Sequence, residues 1–318
     1  MNRRRIRIVL IIVVSAIVLL AGAGAIVERV ASARDRRDPP GVLVDIGGRR
    51  LHVLCIGAGR PAVVFEPGGR GRSVSLEAAR TAIARRTRVC SYDRSGTGWS
   101  DDGPNAVSIG DLVADLRRLQ ENTPIETPMV IVASSMGGLV AEMYARRFPD
   151  RVTGLVFVDA ATSEMLTALN AAADRQTRFE VNTACAGVRI ARPIGVLRLL
   201  DSRPRVPAML CAAIRGLPET IAQFDAVPPL RTDIPIVALS AETTDNLIPV
   251  PWLISKSVLQ NPTVRELVGL QHRSHQHLAE RSAHGSWKVV RGSGHVIAED
   301  RPDEVVDAVA SILARMPS

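Results

Sequence analysis

Ser135 is the residue in this chain best placed to act as a nucleophile. It sits in Ala133-Ser134-Ser135-Met136-Gly137-Gly138, where the apolar run 129–133 ends and the helical spacing of 138–147 begins. An apolar strand that runs straight into Ser, then small residues, then a helix makes a tight turn. Such a turn pushes the serine side chain out at the C-terminal end of a sheet and leaves the next amide, that of Met136, at a helix N-terminus. Small neighbours are needed because the turn brings strand and helix together. The usual pattern is G-x-S-x-G, and Ala133 stands here in the place of the first glycine.

A serine hydroxyl is a poor nucleophile until a base takes its proton. Six histidines are available. His295 follows Gly292-Ser293-Gly294 on a loop after the strand-like run 287–290 and is the first choice of base, and His284, just before that run, is the second. His52 lies within a strand-like run. His272, His275 and His277 fall in the helical stretch 271–280 without sharing one face, which reads as a solvated surface and not as a metal site. No C-x-x-C pattern supports zinc, and no G-x-x-x-x-G-K-[ST] loop supports phosphate binding. No metal and no organic cofactor is implied.

The elements that must hold these residues alternate. Short strand-like runs at 42–45, 50–56, 62–65, 88–92, 129–133 and 155–158 are interleaved with helical patterns at 109–119 and 138–147. The run 129–133 is apolar throughout, as a strand covered on both faces is. That rhythm predicts an α/β chain with a mostly parallel sheet and helices on both sides. Between Thr162 and Arg231 it stops: apolar helical patches (166–173, 188–200, 206–214) are broken by Pro193, Pro204, Pro207 and Pro218, which reads as a helical insertion. Strand-like sequence resumes at 235–239 and 287–290, and the final helix, 302–316, carries Val305, Val306, Ala308, Val309, Ile312 and Leu313 on one face.

Composition narrows the function classes. Hydrophobic residues make up 46% and charged residues 23%, so the chain can bury a core. Aromatics at 3% are too few for a base-stacking platform. Of the net charge of +8, residues 1–40 supply +5, from eight Arg against Glu28, Asp35 and Asp38. The excess thus adjoins an apolar run, which points to a membrane surface and away from nucleic acid. Residues 8–27 hold no charge and, as a helix, span about 30 Å, enough for a hydrocarbon core. With Arg3, Arg4, Arg5 and Arg7 in front, the segment reads as a signal-anchor with the body outside the cytoplasm. The alternative is a cleaved signal peptide, with Ala21-Gly22-Ala23 or Ala31-Ser32-Ala33 as the cleavage site, the body then being secreted. Residues 34–40 (RDRRDPP) read as a linker.

From Gly41 to Ser318 the chain resembles the α/β-hydrolase superfamily. The resemblance rests on the serine turn, on Tyr92-Asp93-Arg94-Ser95-Gly96-Thr97-Gly98-Trp99-Ser100-Asp101, on Ser293-Gly294-His295 followed by Glu299-Asp300-Arg301-Pro302, and on the order Ser first, His last. It implies an eight-stranded, mostly parallel sheet with a helical cap. The expected layout is an anchor and linker at 1–40, core at 41–161, cap at 162–231 and core at 232–318. It implies a catalytic triad of Ser135, Asp245 and His295, with Asp245 taken from Asp245-Asn246-Leu247-Ile248-Pro249, where the loop is one residue longer than usual. Asp159, directly after the sixth strand, is the alternative acid, and Glu242 comes next. For the oxyanion, the implied amides are those of Met136 and of Gly69 in Glu66-Pro67-Gly68-Gly69-Arg70-Gly71, with Arg70 next in line. The strands bearing Cys55 and Cys90 are neighbours in the implied sheet order, so these two form a candidate disulfide. Cys185 and Cys211, both in the insertion, are a second candidate pair, and four buried thiols are the alternative. The function implied is serine hydrolysis of a small-molecule carboxylic ester or lipid through an acyl-enzyme. Amide cleavage, cofactor-free perhydrolysis or a silent binding protein are the rivals. Apolar residues of the insertion, Leu197 and Met209 among them, are expected to cover the pocket.

Overall fold

The structure, a computed structural model, describes residues 3–35, 38–69, 76–103, 107–172, 175–194, 196–197, 205–243 and 266–316. Among them are eight strands in one sheet: β1 (Val42–Asp45), β2 (Arg50–Ile56), β3 (Val63–Glu66), β4 (Val89–Tyr92), β5 (Met129–Ser134), β6 (Val152–Val158), β7 (Ile236–Ala241) and β8 (Ser286–Val290). Their order is β1-β2-β4-β3-β5-β6-β7-β8. The β1–β2 and β2–β4 pairs are antiparallel and the other pairings parallel, so the sheet is mostly parallel, as the alternating rhythm predicts.

The central strands are apolar throughout because both faces are covered. In β5, Ile131 and Ala133 join one apolar cluster and Val130 and Val132 the other; β6 divides the same way, Leu155 and Phe157 against Val156 and Val158. This is the two-residue period of a strand read at full burial. The first cluster is closed by α3 (Ile109–Glu121) and α4 (Gly137–Arg147). The second is closed by α2 (Glu77–Ile83) and the C-terminal helix, Pro302–Leu313, whose Val305, Val309 and Ile312 are buried as their spacing predicts. Ser108 caps α3 by accepting from the Asp111 amide, while the Asp111 side chain accepts from the Ser108 amide, a reciprocal capping box.

Between β6 and β7 the described chain is helical: α5 (Ser163–Ala172), α6 (Arg175–Ala191), α7 (Arg205–Arg215) and α8 (Leu217–Ala226). Its own apolar cluster is small, made of Cys185, Val188, Leu197 and Cys211. Leu197 is therefore spent inside the insertion rather than over a pocket, while its neighbour Val196 is exposed. Met209 and Leu210 lie on α7, with side chains outside the described set. Both candidate disulfides are formed. Cys55 and Cys90 face each other across the antiparallel β2–β4 register with an S–S distance of 2.04 Å, and Cys185–Cys211 joins α6 to α7 at 2.06 Å.

At the N-terminus, α1 (Arg3–Asp35) contains a 19-residue stretch, Val13–Ala31, that is long and apolar enough to cross a membrane and is not buried by the fold.

Candidate active site

Ser135 stands where β5 gives way to α4, with φ at +52°. That left-handed conformation is uncommon for a residue with a side chain and costs of order 1–3 kcal/mol, so the surroundings must hold it. They do: the Ser135 carbonyl accepts from the amides of Gly138 (3.0 Å) and Ala161 (2.7 Å). The glycine at 138 is a packing requirement, because a Cβ there would come within 2.2 Å of the Ala161 carbonyl oxygen. A Cβ at Gly68 would likewise meet the Ser135 Cβ at 2.9 Å. Strand, turn and neighbouring loop are thus brought together by residues that lack side chains.

The Ser135 hydroxyl lies 2.9 Å from His295 Nε2, and His295 Nδ1 lies 2.6 Å from Asp159 Oδ2. Ser135, His295 and Asp159 come from the ends of β5, the loop after β8 and the end of β6. Asp159 also has positive φ, +45°. Its amide donates to the Leu239 carbonyl (2.7 Å), and its Oδ1 accepts from the Ala241 amide (2.8 Å). With Oδ2 accepting from Nδ1–H, the histidine presents Nε2 as an acceptor to the serine hydroxyl. Asp245 lies outside the described residues; among those described, the carboxylate on His295 is that of Asp159, the alternative read from the sequence. Glu242 accepts from the Gly292 amide at 2.8 Å and is engaged there.

Met136 is the N-cap of α4, and its amide follows the serine as the turn requires. Gly69 is buried at the end of the described stretch after β3; Arg70 lies outside it. The loop leading to Gly69 is held by a buried ion pair that motif reading had not assigned. Arg94 donates from Nε to Glu66 Oε1 at 3.0 Å and from Nη1 to the Gly68 carbonyl at 3.3 Å. Its Nη2 reaches Glu66 and the Pro67 carbonyl. Tyr92 adds a hydroxyl donor to the same carboxylate. Burial pushes the Glu66 carboxyl above its ordinary value, and the Arg94 charge offsets only part of that rise. One guanidinium thus fastens three successive residues, Glu66 to Gly68, beside Ser135. The available sequence signal was a glutamate ending an otherwise apolar strand, Val63-Val64-Phe65-Glu66.

The three histidines of the helix α9 (Leu267–Glu280) part ways. His275 is fully buried, with Nδ1 2.7 Å from the Ser240 hydroxyl and Nε2 2.6 Å from the Ala160 carbonyl. His272 Nε2 contacts the Ala241 carbonyl at 2.8 Å, and His277 pairs with Glu164 at the surface. Two of them therefore grip the peptide groups on either side of Asp159's hydrogen bonds, where sequence reading placed a solvated face. Burial holds the His275 pKa below its ordinary value, so it is neutral and donates to Ala160. His284 lines a cleft at the start of β6 with Pro128 and Val152, at the opposite end of the sheet from Ser135. A smaller cavity is lined by Arg49, Arg94, Ser95, Asp111 and Asp115 together with Val107, Leu112, Met136 and, from the insertion, Ala213.

Comparison with known proteins agrees with this architecture. A family model described as alpha/beta hydrolase fold matches residues 61–184. A thermophilic esterase from Thermogutta terrifontis superposes with a TM-score of 0.56 at 21% identity, covering 86% of this chain and 98% of its own. The sn-1-specific diacylglycerol lipase ABHD11 of Mus musculus is 25% identical over 272 residues, 80% of this chain and 81% of the lipase. A vacuolar membrane protein of Saccharomyces cerevisiae, uncharacterised, is 27% identical over 135 residues, 37% of this chain. The chain spans only 21% of that yeast protein, and 15% and 37% of two further uncharacterised relatives from Schizosaccharomyces pombe and Bacillus subtilis. The chain has the α/β-hydrolase fold.

Proposed function

We propose that the protein is a serine hydrolase that cleaves carboxylic esters through an acyl-enzyme, with Ser135 as nucleophile, His295 as base and Asp159 as the acid. The observation that carries this reading is the unbroken hydrogen-bond chain Asp159–His295–Ser135, 2.6 Å and 2.9 Å. His295 takes the hydroxyl proton as Ser135 Oγ attacks the ester carbon, and Asp159 stabilises the imidazolium that forms. The amides of Met136 and Gly69 stabilise the oxyanion. His295 then returns its proton to the leaving alcohol, and water, activated by the same imidazole, frees the acid. The esterase and lipase among the protein's likenesses support hydrolase chemistry.

The insertion 162–231 is proposed as a cap over this site, a reading supported by Ala213 lining the cavity beside Met136. Residues 8–27 are proposed as a membrane anchor that leaves the body outside the cytoplasm; the two disulfides fit an oxidising compartment. The deciding experiment for the chemistry is labelling with a fluorophosphonate probe, followed by peptide mapping. Modification at Ser135, lost in Ser135→Ala, is the expected result. A folded protein that takes no label and hydrolyses no p-nitrophenyl ester would be a binding module instead.

A further inference from the structure

The described residues distribute exposed apolar side chains unevenly. Outside α1, five large ones are exposed, and four of these, Phe179, Ile190, Val196 and Ile214, belong to the insertion. Phe179 and Ile190 are eleven residues apart on α6, three helical turns, and so lie on one face. Between them the same face shows Thr183 and Ala186, also exposed, and no charge; Arg178 and Arg189 border it on one side and Glu180 on the other. A soluble helix usually turns its charged side to water.

A second observation says what covers this face. On α1, Ala21, Gly24, Ala25, Glu28 and Ala31 are half-buried at helical spacing, while Leu19, Leu20, Ile26, Val27 and Val30 are exposed. This stripe meets the insertion at Gly24: a Cβ there would come within 2.2 Å of the Ile194 carbonyl oxygen. Ile194 lies four residues beyond Ile190 and two before Val196. Gly24 is three residues inside the end of the uncharged run, about 5 Å along the helix. The insertion thus meets α1 at the depth where interfacial helices bury their apolar face, roughly 5–10 Å into the headgroup and acyl boundary.

Resting on the reading of residues 8–27 as a membrane span and of Ser135 as a hydrolase nucleophile, we propose that the uncharged face of α6, with Ile194 and Val196, lies in the surface of the bilayer that α1 crosses, and that the substrates are acyl esters dissolved in that leaflet. The disulfide Cys185–Cys211 ties this face to α7, and Ala213 of α7 lines the cavity beside Met136. The insertion therefore links the proposed lipid-facing surface to the cavity beside Met136. The apolar face holds the insertion in the leaflet, and the bordering arginines suit lipid phosphates.

The test uses the full-length chain in phosphatidylcholine vesicles whose acyl chains carry bromine. Phe179→Trp and Ile190→Trp, made separately, each add one emitter to the native tryptophans. The added emission should fall by about half or more in brominated vesicles and resist aqueous iodide. Emission that iodide quenches freely, or that neither agent quenches because another protein surface covers it, would overturn the proposal, as would a chain that does not stay with the vesicles. For the substrate class, Phe179→Asp with Ile190→Asp should lower hydrolysis of a long-chain diacylglycerol in the vesicles on the order of tenfold while leaving water-soluble p-nitrophenyl acetate unchanged. Equal loss on both esters, or on neither, overturns that part. If the parent hydrolyses neither ester, the serine-hydrolase reading has failed, and the fluorescence result alone judges the surface.

Discussion

The sheet and the segment inserted between β6 and β7 are stabilised by opposite means. Strands β3, β5, β6 and β7 are buried almost without interruption, and two apolar clusters close over their faces. Among the described residues, the insertion's own apolar cluster has four buried members, and the insertion relies on a disulfide and on borrowed polar contacts. The Ile109 and Gly110 amides donate to Thr220 and Gln223, and Arg146 donates to the Phe224 and Val227 carbonyls. A large core can hold strained backbone at Ser135 and Asp159. A thin one cannot, which suits the insertion to binding and movement and the sheet to chemistry.

The comparison breaks first at the nucleophile. Ser135→Ala should lower ester turnover on the order of 10⁴-fold or more, with an unchanged thermal midpoint. A variant that keeps near-parent turnover ends the proposed chemistry. Asp159→Asn should follow, on the order of 10³- to 10⁴-fold, because Asn accepts positive φ but favours the wrong imidazole tautomer. Asp245→Asn should cost far less; the reverse order of damage would return the acid to the stretch after β7. Third, replacing Cys185 and Cys211 by Ser removes a link across 26 residues, worth about 3 kcal/mol. Hydrogen exchange should quicken across α6 and α7 and stay slow in β5 and β6; uniform loosening would mean the two regions unfold as one.

The smallest effect is in pH. His275 is neutral in the fold and its pKa is depressed by burial. The unfolded chain binds its proton more readily, so this contribution to stability is full above the unfolded value, about 6.5, and is lost as pH falls through the lowered folded value. His275→Gln keeps a donor for Ala160 and an acceptor for Ser240. It should therefore narrow the gap between thermal midpoints at pH 7.5 and 5.5, and an unchanged gap would show that His275 is not the group responsible.

What could be read from the sequence follows the range of each signal. The serine turn is written in six consecutive residues and the strands in their period, so Ser135 and the sheet were legible. His295 was legible from its glycine-rich loop. The contact between Asp159 and His295 was less legible, because the two are 136 residues apart in sequence. His275 misled for a related reason: a polar residue at helical spacing reads as solvated, and nothing local announces that Ser240 and Ala160 await it. Arg94 was read within a motif, but its grip on Glu66, Pro67 and Gly68 depends on the parallel pairing of β3 with β4.

The positive φ of Ser135 also limits what this site could become. Threonine offers the same hydroxyl, yet its second Cβ branch adds crowding to a left-handed backbone that already carries strain. Cysteine brings no branch, so a thiol could occupy the turn with the backbone undisturbed. Of the two chemically modest exchanges for serine, the fold leaves open the one that changes the attacking element and closes the one that would preserve it. The evolutionary reach of the site is therefore set by the shape of a peptide turn before it is set by reactivity.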